Sequence, residues 1–432
     1  MKNLLVLGVA SLIATSAMAG DMKWNGSAGM RYQAIGINDG LSSTNTAASG
    51  IGGTSGSDLS GLSIRKYQIR ANLGVRGGWE NVEYGVGIRT QGNSGTGNVV
   101  NTDFSTFAGA TDSTVGLEQA WFKYFNEFAG AKVSVTIGRG AAVFLADGYT
   151  ENLFANALRL NGLGWNFNYG MFGLNLGQYV LGTRGGNASY EAYTANSQSS
   201  AANKTTFSAL YGFQGFGKWK FADEIDTTLA LGFYKYSNVN GFFTNWSAGG
   251  TSPLSQNTAG NGASVAANTA WALKMDNPQI WQVYNQWKLP YNLMFTGEIA
   301  WNKTVAENTA VANWSTAAAT TNARKTAWAI SLLYGPAMLK KAHDFHVGAA
   351  YGVKGIGSVV GATSSPYIAP DNKYIALAGG YALADSFTVG VKAGWLTELE
   401  KMNSTTGTAY NGANAGQNTK TSLFELNAGV SF

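Results

Sequence analysis

From residue 22 to the carboxy terminus, apolar side chains alternate with polar or small ones in segment after segment. In residues 81–90, Val82, Tyr84, Val86 and Ile88 fall on one phase, and Glu83, Gly85, Gly87 and Arg89 on the other. In 387–395, Phe387, Val389, Val391, Ala393 and Trp395 oppose Thr388, Gly390, Lys392 and Gly394. Successive side chains of a strand point to opposite faces, so this period of two predicts strands. Sixteen segments carry it: 22–36, 62–76, 80–91, 115–125, 131–138, 162–169, 171–182, 204–217, 225–237, 278–289, 291–303, 325–334, 344–354, 372–384, 386–399 and 421–432. Their connections alternate between long and short. The long ones, rich in Ser, Thr, Asn, Ala and Gly, are 37–61, 92–114, 139–161, 183–203, 238–277, 304–324, 355–371 and 400–420. The short ones include 76–81, 126–130, Pro290 and Asp385-Ser386.

Alternation alone fits a soluble sandwich or a barrel. A sandwich carries many charges on its outer face. Here only 12% of residues are charged, while 12% are aromatic and 57 of 432 are glycine. The polar phase is mostly Gly, Ser, Thr and Asn, and the apolar phase ends in aromatics. Trp24, Trp79, Trp165, Trp281, Trp287, Trp301, Trp328 and Trp395 lie on or beside the segments, mostly on the apolar phase. Amphipathic rings favour a membrane–water boundary, so a lipid-facing exterior and a polar lumen follow. The expected fold is all-β: a transmembrane antiparallel β-barrel of about sixteen strands, with fourteen or eighteen also compatible. Eight long loops would lie on one side of the membrane and tight turns on the other. The chain has no cysteine, which removes disulfides, thiolate metal sites and cysteine nucleophiles. Its net charge of +5 is spread without basic blocks, so no nucleic-acid partner is expected.

Residues 1–20 read differently. Lys2 precedes an apolar run at 4–13, and Ala17-Met18-Ala19 offers a small-x-small cleavage pattern. The run is too short for a spanning helix. Residues 1–19 are therefore expected to be a signal peptide, and 20–432 a single barrel domain exported through the Sec-type route.

The last segment, 423–432 (LFELNAGVSF), sets Phe424, Leu426, Ala428, Val430 and Phe432 on one face and ends in phenylalanine. Residues 118–139 (EQAWFKYFNEFAGAKVSVTIGR) form a strand–turn–strand pattern closing on Gly-Arg before the third long loop. With the signal peptide and the alternating strands, these features resemble the general outer-membrane porins of Gram-negative bacteria across the whole mature chain. The resemblance implies that Phe432 is a signal read by the outer-membrane assembly machinery. It further implies a multi-pass barrel in the bacterial outer membrane, in contact with lipid and lipopolysaccharide, assembled as a homotrimer and without a cofactor. Ala28, Ala71 and Ala376, read as outward and small, would permit close packing between protomers. The loop 139–161 would fold inward and narrow the pore. Its acids, Asp147 and Glu151, would then face Arg31, Lys66, Arg70 and Arg89 on the wall, with Arg139 and Arg159 near the loop's ends. The loop lacks the Pro-Glu-Phe-Gly-Gly type motif of the enterobacterial porins.

The function expected from this resemblance is passive diffusion of ions and small hydrophilic solutes through a water-filled channel. A substrate-selective channel, for instance for sugars, would need aromatics along the lumen, and Trp121, Tyr179 and Tyr234 point inward on this phase. A structural or adhesive barrel would place its function in loops such as 238–277. Enzyme chemistry finds little footing. His343 and His346, the two histidines, would point to opposite faces of a strand instead of sharing a metal. Residues 212–218 (GFQGFGK) imitate a phosphate-binding loop but run into Trp219, where a magnesium-binding hydroxyl would be needed.

Overall fold

In the computed structural model of the chain, the residues described are 22–38, 62–91, 99–100, 105–106, 114–154, 158–184, 206–222, 224–237, 264–265, 269–270, 277–304, 325–355, 357–360, 372–399 and 420–432. Residues 1–21 and most of the long loops, including all of 238–276 but for 264–265 and 269–270, lie outside this set.

Sixteen long strands form the wall: β1 (Lys23–Asn38), β2 (Leu62–Trp79), β3 (Val82–Gln91), β4 (Thr114–Phe128), β5 (Ala131–Gly140), β6 (Arg159–Tyr169), β7 (Phe172–Arg184), β8 (Thr206–Ala222), β9 (Ile225–Ser237), β10 (Gln279–Leu289), β11 (Leu293–Asn302), β12 (Thr326–Tyr334), β13 (Phe345–Lys354), β14 (Asn372–Ala384), β15 (Phe387–Glu398) and β16 (Lys420–Ser431). Each pairs antiparallel with the next, and β1 pairs with both β2 and β16, so the barrel is closed. Two two-residue bridges, Val99–Val100 on β6 and Ser105–Thr106 on β2, complete the sheet. Closure removes the unpaired edges that an open sheet would expose. It is sealed at the carboxy terminus, where Phe432 and Gly26 exchange both backbone hydrogen bonds at 3.0 Å. The Phe432 ring lies over Gly26, where a Cβ would collide with it.

All sixteen predicted segments are strands, but several run further than the alternation suggested. β2 continues past 76 to Trp79, β4 past 125 to Phe128, and β8 past 217 to Ala222. The turns shrink accordingly to Glu80-Asn81 and Ala129-Gly130, the latter with both φ angles positive (50° and 78°), as a tight hairpin needs. The outward phase carries the ladder on: Trp79, Phe128 and Phe221 are 44%, 79% and 66% exposed. Gly78, Lys218 and Lys220, which break an apolar pattern, sit on the inner face, where they cost nothing, while Gly77 and Gly217 lie outward beside the Tyr84 and Trp219 rings. The exterior is built as expected, with Trp24, Trp165, Trp281 and Trp395 exposed. Trp287 stacks on Phe221 and Trp301 on Trp281. One small residue is on the other side of the wall. Ala376 shares its phase with the buried Tyr374 and faces inward, whereas Ala28 and Ala71 face out.

The apolar core lies inside the lumen. Phe144, Leu153, Phe154 and Leu158 from the β5–β6 connection pack on wall residues including Tyr179, Leu210 and Tyr234, together with Val359 and Val360. Burying each large side chain contributes roughly 1.5–3 kcal/mol, which holds this connection against one side of the barrel.

Candidate functional site

The β5–β6 connection leaves the wall two residues beyond a pair of facing glycines, Gly138 and Gly162. Gly138 has φ +115°, and a Cβ there would run into the Ala120 carbonyl of β4, as one on Gly162 would into the Gln178 carbonyl of β7. Residues 141–154 then cross the lumen. Val143 donates its N–H to the Tyr179 hydroxyl at 3.1 Å. Leu145 is clamped on both backbone groups: its N–H donates to Gln214 Oε1 at 2.7 Å, and its carbonyl accepts from Gln214 Nε2 at 2.8 Å. Gln282 Nε2 reaches the same carbonyl at 3.2 Å. Phe144 meets Tyr179 and Tyr234 edge-on, with centroids 6.0 and 4.9 Å away.

The two glutamines belong to a belt of side-chain amides around the inner wall. Asn168 donates to Asn166, Asn166 to Asn175, Asn175 to Gln214, Gln214 to Gln282 and Gln282 to the carboxylate of Glu298. The belt crosses β6, β7, β8, β10 and β11, skipping β9, whose Tyr234 hydroxyl donates to Gln282 Oε1 at 2.6 Å. Amides both donate and accept, so the chain satisfies its buried polar groups while presenting the loop with both functions.

Beyond Leu145 the loop turns on Asp147, whose carboxylate accepts from Tyr149 N–H, Thr150 N–H and the Thr150 hydroxyl. Asp147 is 3% exposed and lies within electrostatic reach of Glu298. Tyr149 reaches further round the same wall and donates its hydroxyl to Gly348 O on β13 at 2.7 Å. Burial pushes this hydroxyl up to about 12, and the Asp147 carboxylate adds to the shift. Glu151, with φ +48°, acts electrostatically on the fully buried Lys354 of β13, as does Glu298.

Another stretch of the inner wall carries arginines. Arg31 on β1 donates to Gln68 at 2.7 Å and pairs with Glu425 at 3.5 Å, and Gln33 also donates to Glu425. Glu118 sits at a bulge between β3 and β4, where the register shifts beside Gly87 and Ile88. Arg89 approaches it to 3.9 Å and Arg159 to 3.5 Å, and Arg139 lies within electrostatic reach. Arg70 faces inward between these groups, two positions from Gln68 on β2. Among the described residues, Glu425 and Glu118 are the carboxylates seen against these guanidiniums.

The structure therefore brings Arg31, Arg70, Arg89 and Arg139 to one wall, and Asp147 and Glu151 to the other, against Glu298 and Lys354. The backbone of Lys66 pairs with Gln33 on the arginine wall; its side chain lies outside the described residues. Alternation did not single out Glu118, Glu298, Arg159, Lys354 or the amide belt. A lone glutamate on an otherwise apolar or small phase, as in Gly297-Glu298-Ile299, was the signal available. The histidines part company: His343 Nδ1 meets the Tyr381 hydroxyl, and His346 turns to the Pro336 carbonyl.

A comparison by sequence places residues 31–285, more than half of the chain, in the family described as "Putative porin". The chain belongs to this porin family. No curated protein matches it by sequence. Among solved structures, OprB of Pseudomonas putida at high pH is 13% identical, with a TM-score of 0.49 over 97% of this chain and 96% of that one. OmpF of Salmonella typhi, in complex with daunomycin, is 15% identical, with a TM-score of 0.46 over 95% and 97%. A loop L8 deletion mutant of OmpT, an outer membrane protein of Vibrio cholerae, is 9% identical, with a TM-score of 0.43 over 96% and 100%. Family and barrel together make this porin an outer-membrane channel for passive diffusion, and point to a channel rather than an enzyme.

Proposed function

We propose that this porin passes ions and small hydrophilic solutes through a passage set to one side of the barrel, between the docked 141–154 segment and the arginine wall. The reading is carried by the double clamp of Leu145 on Gln214, which holds the segment across the lumen on the side opposite the arginines. Arg31, Arg70, Arg89 and Arg139 then supply positive charge to one side of the constriction, with Lys66 on the same wall. Asp147 and Glu151 supply negative charge to the other. Fixed charges of opposite sign across a narrow aqueous gap orient dipolar solutes and weight the ion current without any binding chemistry. Tyr179 and Tyr234 are covered by Phe144, so they support a fixed loop better than an aromatic sliding path for sugars. Residues 1–19 serve export, and Phe432, paired to Gly26 at the seam, serves recognition by the assembly machinery. The outward Ala28 and Ala71 suit a homotrimer surrounded by lipid and lipopolysaccharide.

Reversal potentials under a salt gradient test the charge assignment. Arg31→Gln with Arg89→Gln is expected to shift selectivity toward cations, and Asp147→Asn with Glu151→Gln toward anions. Reversal potentials unmoved in both double variants would remove these residues from the constriction.

A further inference from the structure

The turn-side end of the lumen, below the docked segment, has a charge of its own. The phase of each strand is set by its buried inward residues. On β8 the fully buried Gln214 and the buried Phe216 are followed on the same phase by Lys218 and Lys220, both exposed. On β10, Gln282 and Tyr284 lead in the same way to the exposed Lys288. On β5, Lys132 pairs with Asn168 of the amide belt's strand and is exposed. On β2 the phase of Gln68 and Arg70 ends at the exposed Arg76, and on β4 Lys123 follows Trp121. All six lie within a few residues of the tight turns. Among the described residues the carboxylates on the same phase are fewer: Glu83, which pairs with Lys123 at 3.5 Å, Asp226, which pairs with Lys220 at 3.9 Å, and Glu127, opposite Lys132 in the ladder. Glu80 and Glu224 sit on the turn tips, at the rim, where bulk water screens them.

Leu145 of the docked segment packs against Phe216, Ala230 and Tyr284, immediately above Lys218 and Lys288 on their strands. The positive phase therefore begins where the constricting segment ends, and it spans β2 to β10 of the circumference. We propose that this end of the lumen is a cationic vestibule that gathers small anions, carboxylates and phosphates among them, at the turn-side mouth and makes conduction through the barrel asymmetric. The proposal rests on the channel reading above. Cationic walls around a confined aqueous volume raise the local concentration of anions. The supply of anions is then larger when the field drives them inward from the turn side than when it drives them from the loop side.

The test is a current–voltage curve from porin inserted in one orientation, in symmetric KCl at 0.1 M and at 1 M. Screening reaches about 10 Å at the lower salt and about 3 Å at the higher. The current at 0.1 M should be about twofold larger when anions enter from the turn side, and symmetric at 1 M. Lys132→Gln, Lys218→Gln and Lys288→Gln combined should abolish the asymmetry while the channel still conducts at 1 M. Lys132→Glu, Lys218→Glu and Lys288→Glu combined should reverse its direction. A conducting wild-type channel with a symmetric curve at 0.1 M would overturn the vestibule and leave the channel reading standing. So would a glutamate variant that keeps the wild-type direction. No conductance in either salt would overturn the channel reading and the vestibule with it.

Discussion

Gln214 holds both backbone groups of Leu145, accepts from Asn175 and reaches Gln282 and the Tyr234 hydroxyl, so its amide takes part in five hydrogen bonds at one buried point. Gln214→Leu preserves much of the volume but strips the clamp and leaves buried donors and acceptors unmet, at a cost of about 1–3 kcal/mol. The barrel's heat-unfolding midpoint should fall, and single-channel traces should become noisier as residues 141–154 lift from the wall. A quiet trace with an unchanged midpoint would show that the clamp is not what fixes the segment. Tyr149 at the other end responds to pH. Its hydroxyl titrates near 12, against an ordinary 10, so the docked form keeps the proton longer than the released form does. That contribution to docking is complete below pH 10 and disappears as pH rises through about 12. Conductance should therefore step upward between pH 10 and 12 in the wild type, and the step should be missing in Tyr149→Phe. Neither residue was conspicuous in the sequence. Gln214 sits inside a run that imitates a nucleotide-binding loop, and Tyr149 in a loop without periodicity. Their partners, Leu145 and Gly348, are 69 and 199 positions away. Only the closed register brings such pairs together.

At the scale of elements, the strands were readable because lipid on one side and polar lumen on the other force strict alternation. Their ends were less so. Lys218, Lys220 and Gly78 interrupt an apolar run while continuing the inner phase, and the outward Trp79 and Phe221 carry the ladder on. The inward fold of the third loop was expected only from the resemblance to porins. What launches it is Gly138, whose φ of +115° and close approach to the Ala120 carbonyl admit no side chain. Gly138→Ala should cost roughly 1–3 kcal/mol through backbone strain alone, read as a lower unfolding midpoint and a poorer yield of assembled barrel. Wild-type stability in that variant would mean that β5 can leave the wall without the special conformation. The charges divided the same way. Arg31, Arg70 and Arg89 were visible as isolated bases on a regular inward phase. Glu118 was hidden because a bulge moves it out of phase with its neighbours.

For the whole molecule, closure gives β1 two partners and the carboxy-terminal phenylalanine a place at the seam. The outer face could then be recognised from composition, since a low charge fraction with abundant aromatics suits lipid. The interior could not. A lumen tolerates polar, small and aromatic residues alike, so nothing in the alternation told Tyr179 and Tyr234, which brace the loop, from residues that would guide a solute. The division of the lumen into a filled side and an arginine side is a property of the assembled barrel, and the central claim is that the second side conducts. Single-channel recording of the folded mature protein in a planar bilayer, under a salt gradient, tests it most directly. Discrete, large, ohmic steps are expected at high salt, with a modest reversal potential that moves when the arginine wall is neutralised. Silence from protein verified as folded, or small steps that close on addition of one sugar, would contradict it.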